Sequence, residues 1–365
     1  MRSTFEGFKE FAAEIERIEK VRQDLLVPMG KIKMVAPNTI TLDRGEAFEE
    51  YGVTDNGHRQ LAAKVGVPYD YYQRTATVPG LREYNVNAWL RETPSEQKLV
   101  RILDGNVRAI LGPRFKPMDN FALMDAIAPA LREVASRDEL MVRTFALSEN
   151  HMYLQVAFKK TMRELTPPPD PFKDGHYMKE PVRIMAGMTI RNSETGHAAR
   201  DFRKMVWNLI CWNGAISESV LRNYHVGREL ESDDTGNIWT EETLRAEVEL
   251  LRLKTRDIIR DAMDPASLND FADKAQAAME NRITVPMDEL IVNVTKRWGF
   301  SKAEGQLIME NILEGGQSNR TQWGLTNGIN ALAHVVDSVD RQYDLEKLSN
   351  DVISLSDKEW KAVAN

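Results

Sequence analysis

Two groups of basic residues stand out in a chain whose formal net charge is −7. The first lies in KLVRILDGNVRAILGPRFK, residues 98–116, where Lys98, Arg101, Arg108, Arg114 and Lys116 face Asp104 as the sole acid. The second begins at Arg191 and includes Arg200, Arg203 and Lys204. Phosphates call for such cations, and unpaired bases call for aromatic platforms. Phe115, between Arg114 and Lys116, is the aromatic best placed to stack; its other reading is an apolar anchor for its own loop. Tyr69, Tyr71 and Tyr72 stand close enough to stack bases, or to bury their rings and wet their hydroxyls. The chemistry these residues suit is holding a polyanion.

Bond-breaking chemistry finds less support. A metal-dependent nuclease or polymerase needs clustered carboxylates, yet the acids crowd Glu241-Glu242 and Glu247/Glu249, as on a solvated helix face. Six histidines without Cys/His pairs at ligand spacing argue against zinc. Cys211, the single cysteine, follows Leu209-Ile210 and reads as a small core residue; His197 and His225 are its only candidate bases as a nucleophile. No Gly-rich phosphate loop is present. The expectation is no cofactor, no metal and no catalytic residue.

The first basic group must be positioned by a hairpin. Asp104-Gly105 between two apolar-rich runs is a strong two-residue turn signal. That turn predicts Leu103 opposite Asn106, Ile102 opposite Val107, Arg101 opposite Arg108 and Val100 opposite Ala109. Val100, Ile102, Val107, Ala109 and Leu111 then share a core face. Arg101 and Arg108 would repel across the ribbon. Either their heads splay into solvent, or an acid from elsewhere lies between them, or an anion belongs there.

Before the hairpin, Phe5, Phe8, Phe11, Ile15, Ile18 and Val21 predict an amphipathic helix that Pro28 ends. Lys31 to Thr41 predicts strands about a Pro-Asn turn, and Asp43 to Glu50 a polar connection. Thr54 or Asp55 caps a helix that Gly66 stops. After the hairpin, Asp119 caps a helix from Asn120 to Val134. A second hairpin turns at Ser148-Glu149-Asn150, and TPPPDP (166–171) is a loop. Val182 to Thr189 is a strand, Phe202 to Cys211 a strand or the start of a helix, and Ser217 to Arg228 a short helix. Helices are expected through Asp261 and over Ser267–Arg282, Met287–Trp298, Ser301–Leu313 and Thr326–Arg341, with Ser301 and Glu304 as a capping box. The fold class is therefore α+β: an antiparallel curved sheet with packed helices, followed by a helical C-terminal region. Its expected divisions are 1–95, 96–230 and 231–365.

Several stretches together resemble one family. They are Gln60-Leu61 with Gly66-Val67-Pro68, Asn85-Val86-Asn87, Val107 to Leu111 with Arg114-Phe115, Gly187 with Asn192 to Gly196, Cys211 to Gly214, and Thr321 to Asn327. Their order is similar to that of the phage- and plasmid-borne proteins grouped as domain of unknown function 932. The chain departs from that pattern at Gly112-Pro113 and at Trp212. The resemblance covers about residues 55–350 and implies a mobile-element protein associated with DNA replication or recombination. It also implies a sheet like that of phage single-strand annealing proteins.

The function expected is a single-stranded-DNA-binding or annealing protein without catalysis. It would act as a homo-oligomer in the bacterial cytoplasm, with a phage or host recombination protein as a possible further partner. The alternative is an interaction or anti-defence factor that binds a host protein through its acidic helical region. No apolar run approaches the ~18 residues of a membrane span. The acids in the first 20 residues argue against a signal or transit peptide.

Overall fold

The computed structural model describes residues 3–5, 7–45, 47–115, 118–166, 181–208, 213–223, 241–316 and 319–364. Helix α1 (Phe8–Val21) buries Phe11, Ile15 and Ile18, the stripe its spacing predicts. It stops at Val21 instead of reaching Pro28, because Gln23–Pro28 is strand β2, paired along its whole length with β6 (Gln97–Leu103). Between them come β3 (Ile32–Ala36), β4 (Thr39–Asp43) and β5 (Phe48–Val53), then α2 (Asp55–Lys64), α3 (Tyr69–Thr75) and α4 (Leu81–Leu90). Thr54 caps α2 by accepting the Gly57 N–H at 3.2 Å. Strand β7 (Asn106–Leu111) completes a sheet of order β2-β6-β7-β5-β4-β3. Its β5–β7 pair is parallel, so the expected antiparallel pattern holds only for the other pairs. Because β6 and β7 lie between β2 and β5, one sheet runs across the 95/96 division. Its edge is managed at β3: Asn87 on α4 accepts the Met34 N–H and donates to the Met34 carbonyl, both at 2.8 Å, in place of a further strand.

The second sheet is built from β1 (Ser3–Thr4), β8 (Leu140–Leu147), β9 (Met152–Phe158), β10 (Arg163–Leu165), β11 (Val182–Asn192), β12 (Arg200–Asn208) and β13 (Asn213–Asn223). Its order is β1-β8-β9-β11-β12-β13, with β10 also on β11. The helix expected from Ser217 is a strand as far as Asn223; a ladder running from Asn208↔Asn213 to Arg200↔Asn223 overrides local propensity. Residues 167–171 of the proline-rich loop, Cys211, Trp212 and 224–228 lie outside the described residues.

Helix α5 (Asn120–Val134) and α6 (Glu241–Ala262) pack with α1 on one face of this sheet. Thus α6 belongs to the sheet's core and not to the separate helical region in which its sequence placed it. After α7 (Asn269–Glu280) come α8 (Met287–Trp298), α9 (Lys302–Glu314), α10 (Gln322–Val335), α11 (Val339–Ile353) and α12 (Asp357–Ala364). Helices α8 to α12 share a core of their own, containing Leu290, Ile308, Ile329, Leu345 and Trp360. Ser301 and Glu304 form the expected capping box. The single helix expected over 326–341 is two, because Ser338 starts α11 by accepting the Arg341 N–H. The fold is α+β, and no helix among the described residues is long and apolar enough to cross a membrane.

Candidate nucleic-acid interface

The β6–β7 turn forms as predicted, with Asp104 and Gly105 both at positive φ (49° and 73°). Leu103 pairs with Asn106 and Ile102 with Val107. The register then shifts: Arg101 pairs with Ala109, Val100 with Ile110 and Leu99 with Leu111. Arg108 is the extra residue of a bulge, so the expected Arg101–Arg108 pair does not exist. The predicted core face divides with it. Val100, Ile102, Val107 and Ile110 pack under α2 to α4, whereas Leu99, Ala109 and Leu111 form a second patch with Phe115. The N-terminal end of α2 sits on the bulge. Asn56 Nδ2 donates to the Arg108 carbonyl at 2.7 Å, and a Cβ on Gly57 would lie 2.5 Å from the Val107 carbonyl oxygen.

The acid between the arginines is real, and it comes from far along the chain. Arg101 is wholly buried. Its Nε and Nη2 donate to Asp24 at 2.8 and 2.9 Å, Nη2 also to Asp119 at 2.6 Å, and Nη1 to the Glu194 carbonyl at 2.7 Å. Burial opposes its charge, but Asp119 and Asp24 outweigh burial and hold the guanidinium above its ordinary pKa. Arg108 Nη1 donates to Glu194 Oε2 at 2.8 Å. The other oxygen of Glu194 accepts the Asn120 N–H at 2.7 Å. Glu194 thereby caps α5, the task the sequence assigns to Asp119, whose carboxylate is taken by Arg101 and Arg22. The polar turn Asn192–Gly196 is thus the joint between the two sheets. A cavity of about 180 Å³ opens beside it, but Glu14, Asp104, Glu149 and Glu194 line its wall. Arg108 Nε and Nη2 are buried and have no partner among the described residues.

Arg101 and Arg108 are therefore committed to internal carboxylates and do not form a phosphate track. Arg114 is exposed. Phe115 anchors its loop on Leu99, Ala109 and Leu111, with Gly196 packed above. Lys116 lies outside the described residues. Tyr72 is buried, its hydroxyl 2.7 Å from His58 Nδ1, and Tyr71 is exposed.

The second basic group is divided by strand alternation. Arg200 and Lys204 point to the α6 side with Phe202: Lys204 pairs with Asp261, and burial lowers the Arg200 pKa despite Glu247. Arg203 and Arg191 point the other way. Arg203 Nε donates to Asp201 at 2.6 Å, and the Arg191 guanidinium carbon stands 4.5 Å from the Tyr343 ring centroid. These four do not gather on one side.

On the Arg191 face a different set does gather. Arg143 on β8 lies over the Trp207 ring at 5.6 Å. The indole has room because Gly187 has no side chain: a Cβ there would be 3.0 Å from Trp207 Nε1. Tyr153 on β9 is the cross-strand partner of Arg191, and Gln155 of Thr189, which in turn pairs with Arg203. Arg143, Arg191 and Arg203 thus form a strip with Tyr153 and Trp207 that sequence reasoning misses. Alternation from Arg191 and Arg203 to Tyr153 is the signal that could find it, and it needs the strand register.

In this structure α11 covers the strip. Val339 and Tyr343 pack on Ala146, Tyr153, Met185, Met205 and Trp207. Asp340 accepts from Tyr153 Oη at 2.7 Å and Ser148 Oγ at 3.2 Å, and lies 2.8 Å from His151 Nδ1. Although burial opposes it, these hydrogen bonds hold the Asp340 carboxyl at about 2. Glu346, 2% exposed, accepts from Gln155 Nε2 at 2.6 Å and Gln342 Nε2 at 3.3 Å. Burial pushes its carboxyl up to about 7. No group of metal-ligating side chains occurs among the described residues.

No family model matches the chain, and neither the curated proteins nor the solved structures contain a significant match.

Proposed function

We propose that the protein binds single-stranded nucleic acid, without catalysis, on the sheet face that carries Arg143, Arg191, Arg203, Tyr153 and Trp207. The observation that supports this is the convergence of three guanidiniums and two large aromatics from β8, β9, β11 and β12 on one face. Arginines pair with phosphates, and aromatic rings stack on bases that are not already stacked in a duplex. Arg101, Arg108, Arg200 and Lys204 act structurally in this reading. A role in replication or recombination of a mobile element is what the family resemblance implies; annealing would in addition need several copies side by side on one strand.

Fluorescence anisotropy of a labelled oligonucleotide, titrated with salt, tests this. Arg143→Ala with Arg191→Ala should lower the magnitude of the log–log salt slope by roughly 0.7 for each phosphate that is no longer neutralised. Arg203 is left in place because it donates to the buried Asp201. Arg114→Ala is the comparator and should leave the slope as it is. A slope that responds to Arg114 alone moves the site to the β7 loop. Binding that ignores salt, or none at all, leaves the reading without support and turns attention to a protein partner for the acidic helices.

A further inference from the structure

Four arginines of this molecule give the edge formed by Nε and Nη2 to a single carboxylate. Arg17 gives it to Glu14, Arg22 to Glu19, Arg101 to Asp24 and Arg252 to Glu249, each bond between 2.7 and 2.9 Å. The buried Arg82 fills the same edge with the Tyr72 and Gln73 carbonyls, both at 3.3 Å. Arg108 does neither. It is 7% exposed and lines the cavity of about 180 Å³ at the joint between the sheets. Its Nη1 goes to Glu194, while Nε and Nη2 have no partner among the described residues. Such a planar fork matches the two oxygens of a carboxylate.

The rest of the wall selects what carries that carboxylate. Glu14, Asp104, Glu149 and Glu194 line it, so a ligand that is only negative meets repulsion there. Glu14 and Asp104 share Arg17, and Glu194 binds Arg108 and the Asn120 N–H. Glu149 differs: Oε1 accepts the Asn56 N–H at 3.0 Å, and Oε2 accepts from no group among the described residues. Asn56 also donates from Nδ2 to the Arg108 carbonyl at 2.7 Å, so one residue ties the fork and the carboxylate together. Ile18, Leu103 and Leu147 make the apolar part of the lining. A cavity of roughly 150 Å³ holds benzene, so this one suits a molecule of roughly six to nine heavy atoms. We infer that the cavity binds a small zwitterion, an α-amino acid with a short apolar side chain. Its carboxylate lies on the Arg108 fork, its ammonium on Glu149 Oε2, and its side chain against Ile18, Leu103 and Leu147. This site is separate from the strip on the second sheet and does not rest on the nucleic-acid reading. A ligand there braces the joint, because α1, the β6–β7 hairpin, the β8–β9 turn and Glu194 all meet around it.

Isothermal titration calorimetry of the full chain with L-leucine and L-valine tests this, beside two truncated probes. Leucinamide lacks the carboxylate, and isocaproate lacks the ammonium. Each should bind roughly tenfold or more weakly than L-leucine, the loss that goes with one charge-assisted contact. L-Leucine should also raise the thermal midpoint, because it binds only the folded joint. Arg108→Lys keeps a cation for Glu194 and removes the fork. With its circular dichroism unchanged, it should lose L-leucine binding by a similar factor. Glu149→Gln keeps an oxygen for the Asn56 N–H and removes the charge. It should bring the affinities for L-leucine and isocaproate together, and it stands as the test where Arg108→Lys does not fold. Absence of binding by both amino acids at millimolar concentration overturns the site, as does binding that survives both substitutions. Guanosine is the competing probe, since its O6 and N7 also fit an arginine fork. Binding of guanosine in place of the amino acids makes the cavity a base pocket and overturns the zwitterion.

Discussion

The two polar interfaces of this molecule are built on opposite terms. At the joint between the sheets, Arg101 meets two carboxylates and a carbonyl, and Glu194 spends both oxygens, on Arg108 and on the first N–H of α5. Under α11, a carboxyl is held among amides, and Gln155 Oε1, Thr189 Oγ1, Arg191 Nε, Trp207 Nε1 and Tyr343 Oη find no partner among the described residues. The first interface uses charge to fix one arrangement of two sheets. The second buries a carboxyl against amide donors and binds no cation to it directly; unsatisfied buried atoms do not separate the two, because Arg108 Nε and Nη2, Asn150 Oδ1 and Asn192 Oδ1 at the joint also have no partner among the described residues. Buried cations alone therefore do not mark a site; what differs between the two is whether a carboxylate is bound to a cation or held by amides.

The comparison breaks first at Glu194. Glu194→Ala strands the Arg108 charge and uncaps α5 in one step. Loss of one partner from a buried pair costs about 3–5 kcal/mol. Urea denaturation should show a loss of that size, and Arg101→Leu a smaller one, because Asp24 and Asp119 keep Arg22 as a shared cation at 2.9 and 3.1 Å. A loss under about 1 kcal/mol, the range of a surface pair, would mean that the joint is solvated and that the contrast with α11 is false.

Much of this architecture can be read from the sequence where the determinants are local. The Asp104-Gly105 turn, the β8–β9 hairpin, the Thr54 cap and the Ser301 capping box each rest on residues within a few positions of one another. The bulge at Arg108 is hidden because its cause, the α2 N-terminus lying on the Val107 and Arg108 carbonyls, comes from another part of the chain. Asp24 lies 77 residues from Arg101 and Glu194 86 residues from Arg108, and Asp119, 18 residues from Arg101, reads in the sequence as a helix cap. The sequence shows that two arginines need counterions and leaves open where those counterions are. Strand alternation in β12, which sends Arg203 and Lys204 to opposite faces, is concealed as long as 202–211 can also be a helix. Apolar spacing alone joins α11 to α10, and the Ser338 cap that separates them is the local signal that this spacing hides.

A smaller effect sharpens the other side of the contrast. Glu346→Gln removes a carboxyl whose pKa is raised to about 7 by burial. Below the unfolded value near 4.5 both forms are neutral, so the variant should match the wild type there. Above pH 7 the wild type has lost the stabilisation of its proton, and the variant should be more stable by about 3 kcal/mol. Thermal or urea unfolding at about pH 4.5 and about pH 8 checks both limits. A variant less stable at the alkaline limit would show that the carboxylate is satisfied as an ion.

The smallest effect belongs to Asp340, where α11 is pinned in the manner of the inter-sheet joint. Its carboxylate accepts from Tyr153 and Ser148 and stands against His151, and its pKa lies near 2, below the ordinary 3.8. A depressed folded-state pKa means stability that is present above about 3.8 and lost as pH falls toward 2. The side chain is about one-third exposed, so water and salt screen part of the effect. Asp340→Asn should cost about 1 kcal/mol at neutral pH, and the gap from the wild type should close below about pH 3. The sign of its effect on the helix must also oppose that of Glu346→Gln. Losing the pin raises hydrogen–deuterium exchange from the first turn of α11 at neutral pH, whereas Glu346→Gln lowers exchange along the middle of the helix. If both variants slow exchange alike, α11 is held by packing on Tyr343 and Val339 alone, and the polar differences between the two interfaces have no dynamic consequence.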